Sequence, residues 1–391
     1  MLKNIAKIFS SHILVKFIGL INVAVILNFL TISDFGYYSY YLLMLHLISV
    51  IIDPFLSAYL VEYKLNNYSK YNLGIFVFSI VLLPLFYFAI SVNITVEFQI
   101  FLFFSFSFII SAGLKSFLNV NERFLRYGLV DVFRQSSIFI STVVCFYILN
   151  NNDYLFLLEL NYASSLVMML VLVPFILKKK EIYINARVKT LKALFKSSKY
   201  LIFYTALIPI IAFVDLYFVE KHLSERDLGL YSFSLKIYSI SLMLVVPIFT
   251  VLNIKQLEIA KEKRYSLFFK KNIKKVLIFS VLLFLGAVAF NYIITHFFYT
   301  DYRSSFKDTT ILLCGAFITY LSLPFSFLIA YRKHNWLFLL SIIALFINII
   351  VNYIYISQYG TIIAAISTFL AQTIINLGAA VLSYYLIDDE K

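Results

Sequence analysis

Six ionisable side chains sit inside long apolar runs of this 391-residue chain: Lys16, His46, Asp53, Glu159, Asp215 and Lys236. A charged group in hydrocarbon costs a few kcal/mol even on insertion scales, so such residues face a cavity or a partner and mark ion or substrate paths. The chemistry open to them is charge recognition and charge balance. Familiar hydrolytic and ATP-driven chemistries have no carrier, because the chain contains no GxxxxGK[ST], HExxH or GxSxG pattern. Cys145 and Cys314 stand far apart in apolar sequence without His or Cys at ligand spacing, which reads as two packing thiols and no metal or cofactor.

Lipid has to position these groups. Hydrophobic residues make up 62% of the chain and charged residues 14%, with a mean hydropathy of +0.90; a soluble domain carries about 25% charged residues. That excludes a soluble enzyme, a nucleic-acid-binding domain and a secreted disulfide module. At about 20 apolar residues per spanning helix, the stretches between charges define twelve spans: 10–32, 36–58, 72–93, 97–116, 130–150, 153–177, 200–219, 229–253, 276–298, 309–331, 336–356 and 361–386. The last two divide one uncharged stretch at the turn signal Ser357-Gln358-Tyr359-Gly360. The runs lack period-two alternation, which excludes a β-barrel.

Basic residues set the orientation. With the N-terminus inside, inner loops and tails hold 27 of the 33 Lys/Arg; the outer loops hold Lys221, Arg226, Arg303 and Lys307, and Lys16 and Lys236 lie within spans. This bias puts both termini in the cytoplasm. The loops 178–199 and 254–275 carry eight basic residues each, so the net charge of +13 is explained by anionic headgroups of the bilayer, with no nucleic acid. Lys3 and Lys7 ahead of the first apolar run, without a small-residue cleavage site, read as a retained signal anchor.

The chain also repeats itself. Shifted by 193 residues, Ser33-Asp34-Phe35-Gly36-Tyr37-Tyr38-Ser39-Tyr40 falls without a gap on Arg226-Asp227-Leu228-Gly229-Leu230-Tyr231-Ser232-Phe233, and Pro54 falls on Pro247. The reading is an all-α integral membrane protein of two parallel six-helix lobes, 1–180 and 200–391, joined by a basic cytoplasmic linker, 181–199. Five of the six ionisable residues lie on the first two helices of each half; Glu159, on the sixth helix, does not. At 1.5 Å per residue, Lys16 and Asp53 lie roughly 9 Å from the inner boundary, and Asp215 and Lys236 roughly 6 to 10 Å from the outer one. They could form two charged layers along one water-filled path. Two placements fit each lysine, in the lumen or with the ammonium group reaching to the headgroups. Pro54 and Pro247 bend equivalent helices and serve either as hinges or as packing kinks.

Ile32-Ser33-Asp34-Phe35-Gly36-Tyr37-Tyr38-Ser39, then Asp215 followed by Leu223-Ser224-Glu225-Arg226-Asp227-Leu228-Gly229-Leu230-Tyr231-Ser232, resemble the Wzx-type polysaccharide flippases of the multidrug/oligosaccharidyl-lipid/polysaccharide (MOP) exporter superfamily. Asn348 and Asn352, four apart on one helix face, then Gly360 and Ala364-Ala365-Ile366-Ser367-Thr368, are similar to that family's closing pattern. The resemblance implies a MATE-like transporter, not an enzyme, in a bacterial inner membrane, with a lumen lined by helices 1, 2, 7 and 8. Its substrate would be an undecaprenyl-diphosphate-linked oligosaccharide, an O-antigen or capsule repeat unit. Polysaccharide polymerase and chain-length proteins would be its partners. On that reading Lys16 and Lys236, with His46, meet the diphosphate and sugar. Asp53, Asp215 and Glu159 balance charge or couple transport to protons or sodium. A drug exporter or another lipid-linked-precursor exporter of the same superfamily is the nearest alternative. A membrane polymerase is the alternative from another class, and the short outer loops near 220–228 and 299–308 argue against it.

Overall fold

Two helices of this protein are capped in the same way, 193 residues apart. In the computed structural model Thr31 Oγ1 donates to Asp34 Oδ2 at 2.6 Å and accepts the Asp34 N–H at 3.1 Å. Ser224 Oγ donates to Asp227 Oδ2 at 2.7 Å and accepts the Asp227 N–H at 3.2 Å. Each hydroxyl satisfies a backbone N–H that the first helical turn leaves without a partner, and each acid lies at the positive end of a helix. The sequence repeat is thus also a repeat of local structure. Ser224→Ala should cost about 1 kcal/mol, read as a lower unfolding temperature in detergent, with Ser224→Thr close to wild type.

The structure describes residues 2–65, 71–72, 83–84, 87, 97–120, 123–176, 182–183, 188–243, 256, 259, 262, 265–331 and 333–388. The capped helices are α2 (Ile32–Leu65) and α7 (Glu225–Met243). Before and between them come α1 (Leu2–Phe29), α3 (Phe98–Val120), α4 (Phe124–Val143), α5 (Tyr154–Ile176) and α6 (Val188–His222). After them come α8 (Tyr265–Ile293), α9 (Phe306–Ser322), α10 (His334–Tyr359), α11 (Thr361–Gln372) and α12 (Gly378–Asp388), the last two joined through a π-helical turn, Thr373–Leu377. A two-residue parallel pairing sets Tyr71 and Asn72 against Ile182 and Tyr183.

Eight described helices are long and apolar enough to cross a membrane, and they coincide with eight of the twelve expected spans. Ile13–Phe29 is a shorter apolar stretch at the first span, and the second lies within α2. Most of 72–93, and the end of 229–253, fall outside the described residues. Large apolar side chains such as Phe175, Phe297 and Tyr353 point outward; the solvent that accepts them is lipid. The molecule is a multi-pass membrane protein.

The chain divides into two compact units, Met1–Ile202 and Phe203–Lys391. In the first, Ile110, Leu114 and Phe117 of α3 pack with Val130 of α4 and Met169 and Leu172 of α5. In the second, Ile211 of α6 packs with Ala344 of α10 and Ala371 of α11. Small residues let helices approach closely in lipid, where no hydrophobic drive exists between them.

One boundary differs from the sequence reading. The span expected at 309–331 leaves α-helix at Ser322 and continues as a single 3-10 turn, Leu323–Phe325. Pro324 supplies no N–H, so carbonyls near it lose helical donors. Gln256 Nε2 donates to the Leu323 and Pro324 carbonyls at 3.2 and 3.0 Å, and Tyr265 OH to the Phe325 carbonyl at 3.1 Å. The last turn is tighter than expected. Helix α10 runs through Tyr359, and Gly360 alone, at φ +72°, turns the chain into α11.

Candidate functional site

Asp215 lies on α6, two turns before the helix ends, and is fully buried in the second unit. Asn348 and Asn352 on α10 are four residues apart, so both amides leave the same helix face. The turn at Gly360 brings Ser367 and Thr368 of α11 alongside them. Tyr231, two turns into α7, completes the ring.

Five neutral donors converge on this one carboxylate. Oδ1 accepts from Asn348 Nδ2 at 2.7 Å, Asn352 Nδ2 at 2.7 Å and Ser367 Oγ at 2.9 Å. Oδ2 accepts from Tyr231 OH at 3.2 Å and from Thr368 Oγ1. The amides also reach Ser367 Oγ, at 3.1 and 2.9 Å. A buried ionised carboxylate is tolerable only when paired or hydrogen-bonded, and bonds to a charged acceptor contribute about 1.5–3 kcal/mol each. The cage therefore holds an anion in apolar surroundings without a neighbouring cation among its five donors.

The two oxygens have different surroundings. Oδ2 faces two hydroxyls, which can accept as well as donate, so a proton on Oδ2 keeps every partner. Oδ1 faces two amides whose own Oδ1 atoms are buried and accept no hydrogen bond. Rotating each amide by half a turn brings those oxygens towards Asp215 and makes a set of oxygen ligands around it. Hard divalent cations take six or more oxygens and usually several carboxylates; one carboxylate with neutral oxygens suits a single positive charge. Among the described residues no group of three or more His, Cys, Asp or Glu could hold a metal.

No protein-family model matches the chain, and no curated protein matches it in sequence. Solved structures match it over almost its whole length. The lipid II flippase MurJ in an inward closed conformation has a TM-score of 0.67 at 18% identity, covering 100% of this chain and 92% of that one. An inward-facing multidrug resistance MATE family transporter of the MOP superfamily gives 0.67 at 10% identity, covering 97% and 94%. A MOP superfamily transporter from Pyrococcus furiosus gives 0.66 at 11% identity, covering 100% and 96%. The chain has the MATE/MOP transporter fold. That fold is about twelve helices in two lobes, as the hydropathy and the repeat indicate.

Within the MOP fold the residues singled out from sequence divide between the two units. Asp215 sits in the cage just described. Lys236 is half-buried one and a half turns further along α7 than Tyr231; it is not one of the five donors to Asp215. Lys16 is exposed on α1 within electrostatic range of Asp131, Lys115 and Arg134. Lys115 Nζ and Asp131 Oδ2 form an ion pair at 2.8 Å, with the Tyr127 ring 5.0 Å from the ammonium. His46 donates from Nδ1 to the Leu42 carbonyl at 2.7 Å and packs on Phe104 at 5.1 Å. Glu159 accepts from Gln99 Nε2 at 2.6 Å in the first unit, and the second unit builds the Asp215 cage by itself. The side chains of Asp53 and Pro54, and Pro247 entirely, lie outside the described residues.

The neutral members of the cage carried the weakest sequence signal. Asn348 and Asn352 stood out only by their spacing, and Tyr231 only as a repeat match. Lys115 and Asp131 fall at the edges of spans, where charge costs little, so a census of span interiors passes over them.

Proposed function

We propose that this protein is an ion-coupled flippase that turns an undecaprenyl-diphosphate-linked oligosaccharide, an O-antigen or capsule repeat unit, from the cytoplasmic to the outer leaflet of a bacterial inner membrane. The observation that carries the reading is Asp215, a carboxylate buried among five neutral donors within a MOP fold. A ligand shifts a conformational equilibrium only by its differential affinity for the two states. A site contributed by four helices of one lobe, α6, α7, α10 and α11, changes its geometry whenever those helices shift, which is what coupling requires. Of the matches described, identity is greatest with the lipid II flippase, and that favours a lipid-linked precursor over a drug.

In this reading the lobes 1–180 and 200–391 rock about the basic segment 181–199, with Pro54 and Pro247 as hinges and both termini in the cytoplasm. Sugars and diphosphate cross through a hydrophilic lumen while the polyprenyl tail stays in lipid. Lys16 and Lys236 meet the diphosphate as compact cations. A polymerase and chain-length proteins receive the product. Lys16→Ala and Lys236→Ala should each slow export about tenfold, the rate equivalent of ~1.4 kcal/mol, with membrane insertion unchanged. Normal export from both variants would place their ammonium groups at the headgroups instead.

The test is reconstitution of the full chain in vesicles with a polyprenyl-diphosphate-linked sugar, with outer-leaflet arrival followed by an impermeant sugar-modifying enzyme. A sodium or proton gradient should accelerate arrival. Movement indifferent to both gradients would remove the coupling role of Asp215, and movement of an amphiphilic drug but not the lipid would favour the exporter reading.

A further inference from the structure

Helices α1 and α4 run side by side in the same direction. A Cβ on Gly19 would lie 3.5 Å from Gln135 Nε2, and Phe29 stacks at 4.8 Å on Phe146, in the π-helical turn that follows α4. Lys16, three residues before Gly19, is therefore level with Asp131, four residues before Gln135. Helix α3 reaches the same level near its C-terminal end, where Lys115 Nζ meets Asp131 Oδ2 at 2.8 Å. Tyr127, Asp131 and Arg134 follow one another at four and three residues, so α4 presents all three on one face. The contacts agree with this register: Lys16 and Lys115 each lie within electrostatic range of Asp131, of Arg134 and of one another.

Three cations thus gather around one carboxylate, a net charge of +2 at one edge of the apolar stretches Ile13–Phe29, Phe98–Lys115 and Leu125–Ile148. With the N-terminus inside, that edge is the inner leaflet. Charge is costly at membrane depth, and cations at one level repel each other until an anion joins them. Lys115 is already held, by Asp131 and by the Tyr127 ring 5.0 Å from its ammonium. Lys16 is exposed and Arg134 half-buried, so an anion can reach both from the surface of the unit. A phosphate on a lipid fits them. Its oxygens take the ammonium as a point charge and the guanidinium as a bidentate fork, and basic pockets between spanning helices on the cytoplasmic side bind anionic headgroups.

We propose that α1, α3 and α4 form a site for one lipid-borne phosphate, contacted by Lys16 and Arg134, with the Asp131–Lys115 pair setting its net charge. The phosphate has two sources, an anionic phospholipid of the inner leaflet or the diphosphate of a lipid-linked cargo. The site goes beyond the export reading and stands whichever cargo crosses. Asp131 separates it from a mere tie between α3 and α4. Its carboxylate neutralises Lys115 and repels a neighbouring anion, so Asp131→Asn raises the net charge from +2 to +3 and should tighten phosphate binding. A mere tie would be weakened by the same change and gain no lipid.

The experiment is native mass spectrometry of the purified full-length protein, titrated in detergent with phosphatidylglycerol and, separately, with diacylglycerol of the same acyl chains. Wild type should retain one phosphatidylglycerol more tightly than any further copies, and no diacylglycerol to match it. Lys16→Gln with Arg134→Gln should bind that lipid about tenfold more weakly or worse. Lys270→Gln with Lys274→Gln, which removes the same charge from the exposed start of α8, should keep it. Asp131→Asn should bind it several-fold more tightly, a gain that misfolding cannot imitate. Undecaprenyl diphosphate as competitor names the source: displacement of the retained phosphatidylglycerol at equal concentration assigns the site to the cargo, and retention assigns it to the bilayer lipid. Equal losses in the two double variants overturn the site, as does an Asp131→Asn protein that binds no more tightly than wild type. Neither result bears on the flippase reading, whose failure shows in leaflet transport and not in lipid retention.

Discussion

Asp215→Asn should lower ion-driven movement of the lipid-linked substrate on the order of a hundredfold, toward the upper end of a coupling free energy of 1–3 kcal/mol. The substitution keeps the shape of the side chain. With its oxygen turned towards Asn348, Asn352 and Ser367, its own N–H2 group faces the Tyr231 and Thr368 hydroxyls, which can accept. Folding and insertion should therefore survive while the charge is lost. Vesicles holding equal amounts of wild type and variant, driven by the same gradient, measure the effect. Unaltered gradient-driven rates would move the coupling site elsewhere.

Replacing both amides, Asn348→Leu with Asn352→Leu, should weaken sodium binding by at least about a hundredfold. Both buried amide oxygens that could turn towards a cation disappear together, and a single carboxylate with hydroxyls is left with too few oxygen ligands for a hard cation. The proton behaves differently. A proton on Oδ2 would keep both its partners there, the Tyr231 and Thr368 hydroxyls, so a proton-coupled protein should keep most of its proton response in the same variant. Sodium and proton titrations of the unfolding temperature separate the two. Loss of one response with retention of the other names the ion.

Much of the architecture follows from hydropathy and charge alone. The cost of leaving backbone groups unsatisfied in lipid forces the apolar runs into helices, so eight spans appear where the charges bracket them. Asp215 was legible for the same reason, since a carboxylate in hydrocarbon is expensive wherever it stands. Its surroundings were not. Coulomb reasoning looks for an opposite charge and points to Lys236, whereas the fold surrounds the carboxylate with amides and hydroxyls that lie up to 153 residues away in sequence. Neutral polar groups cost little in a span and give no warning of where they converge. The early end of α9 turned on Pro324, whose neighbouring carbonyls take donors from Gln256 and Tyr265, again distant in sequence.

Deleting the gene in its host and locating lipid-linked repeat units by leaflet accessibility tests the flippase reading most directly. Accumulation on the cytoplasmic face, reversed by the wild-type gene and not by Asp215→Asn, is the result this account predicts. Single repeat units reaching the outer surface unpolymerised would contradict it and assign the missing step to a polymerase.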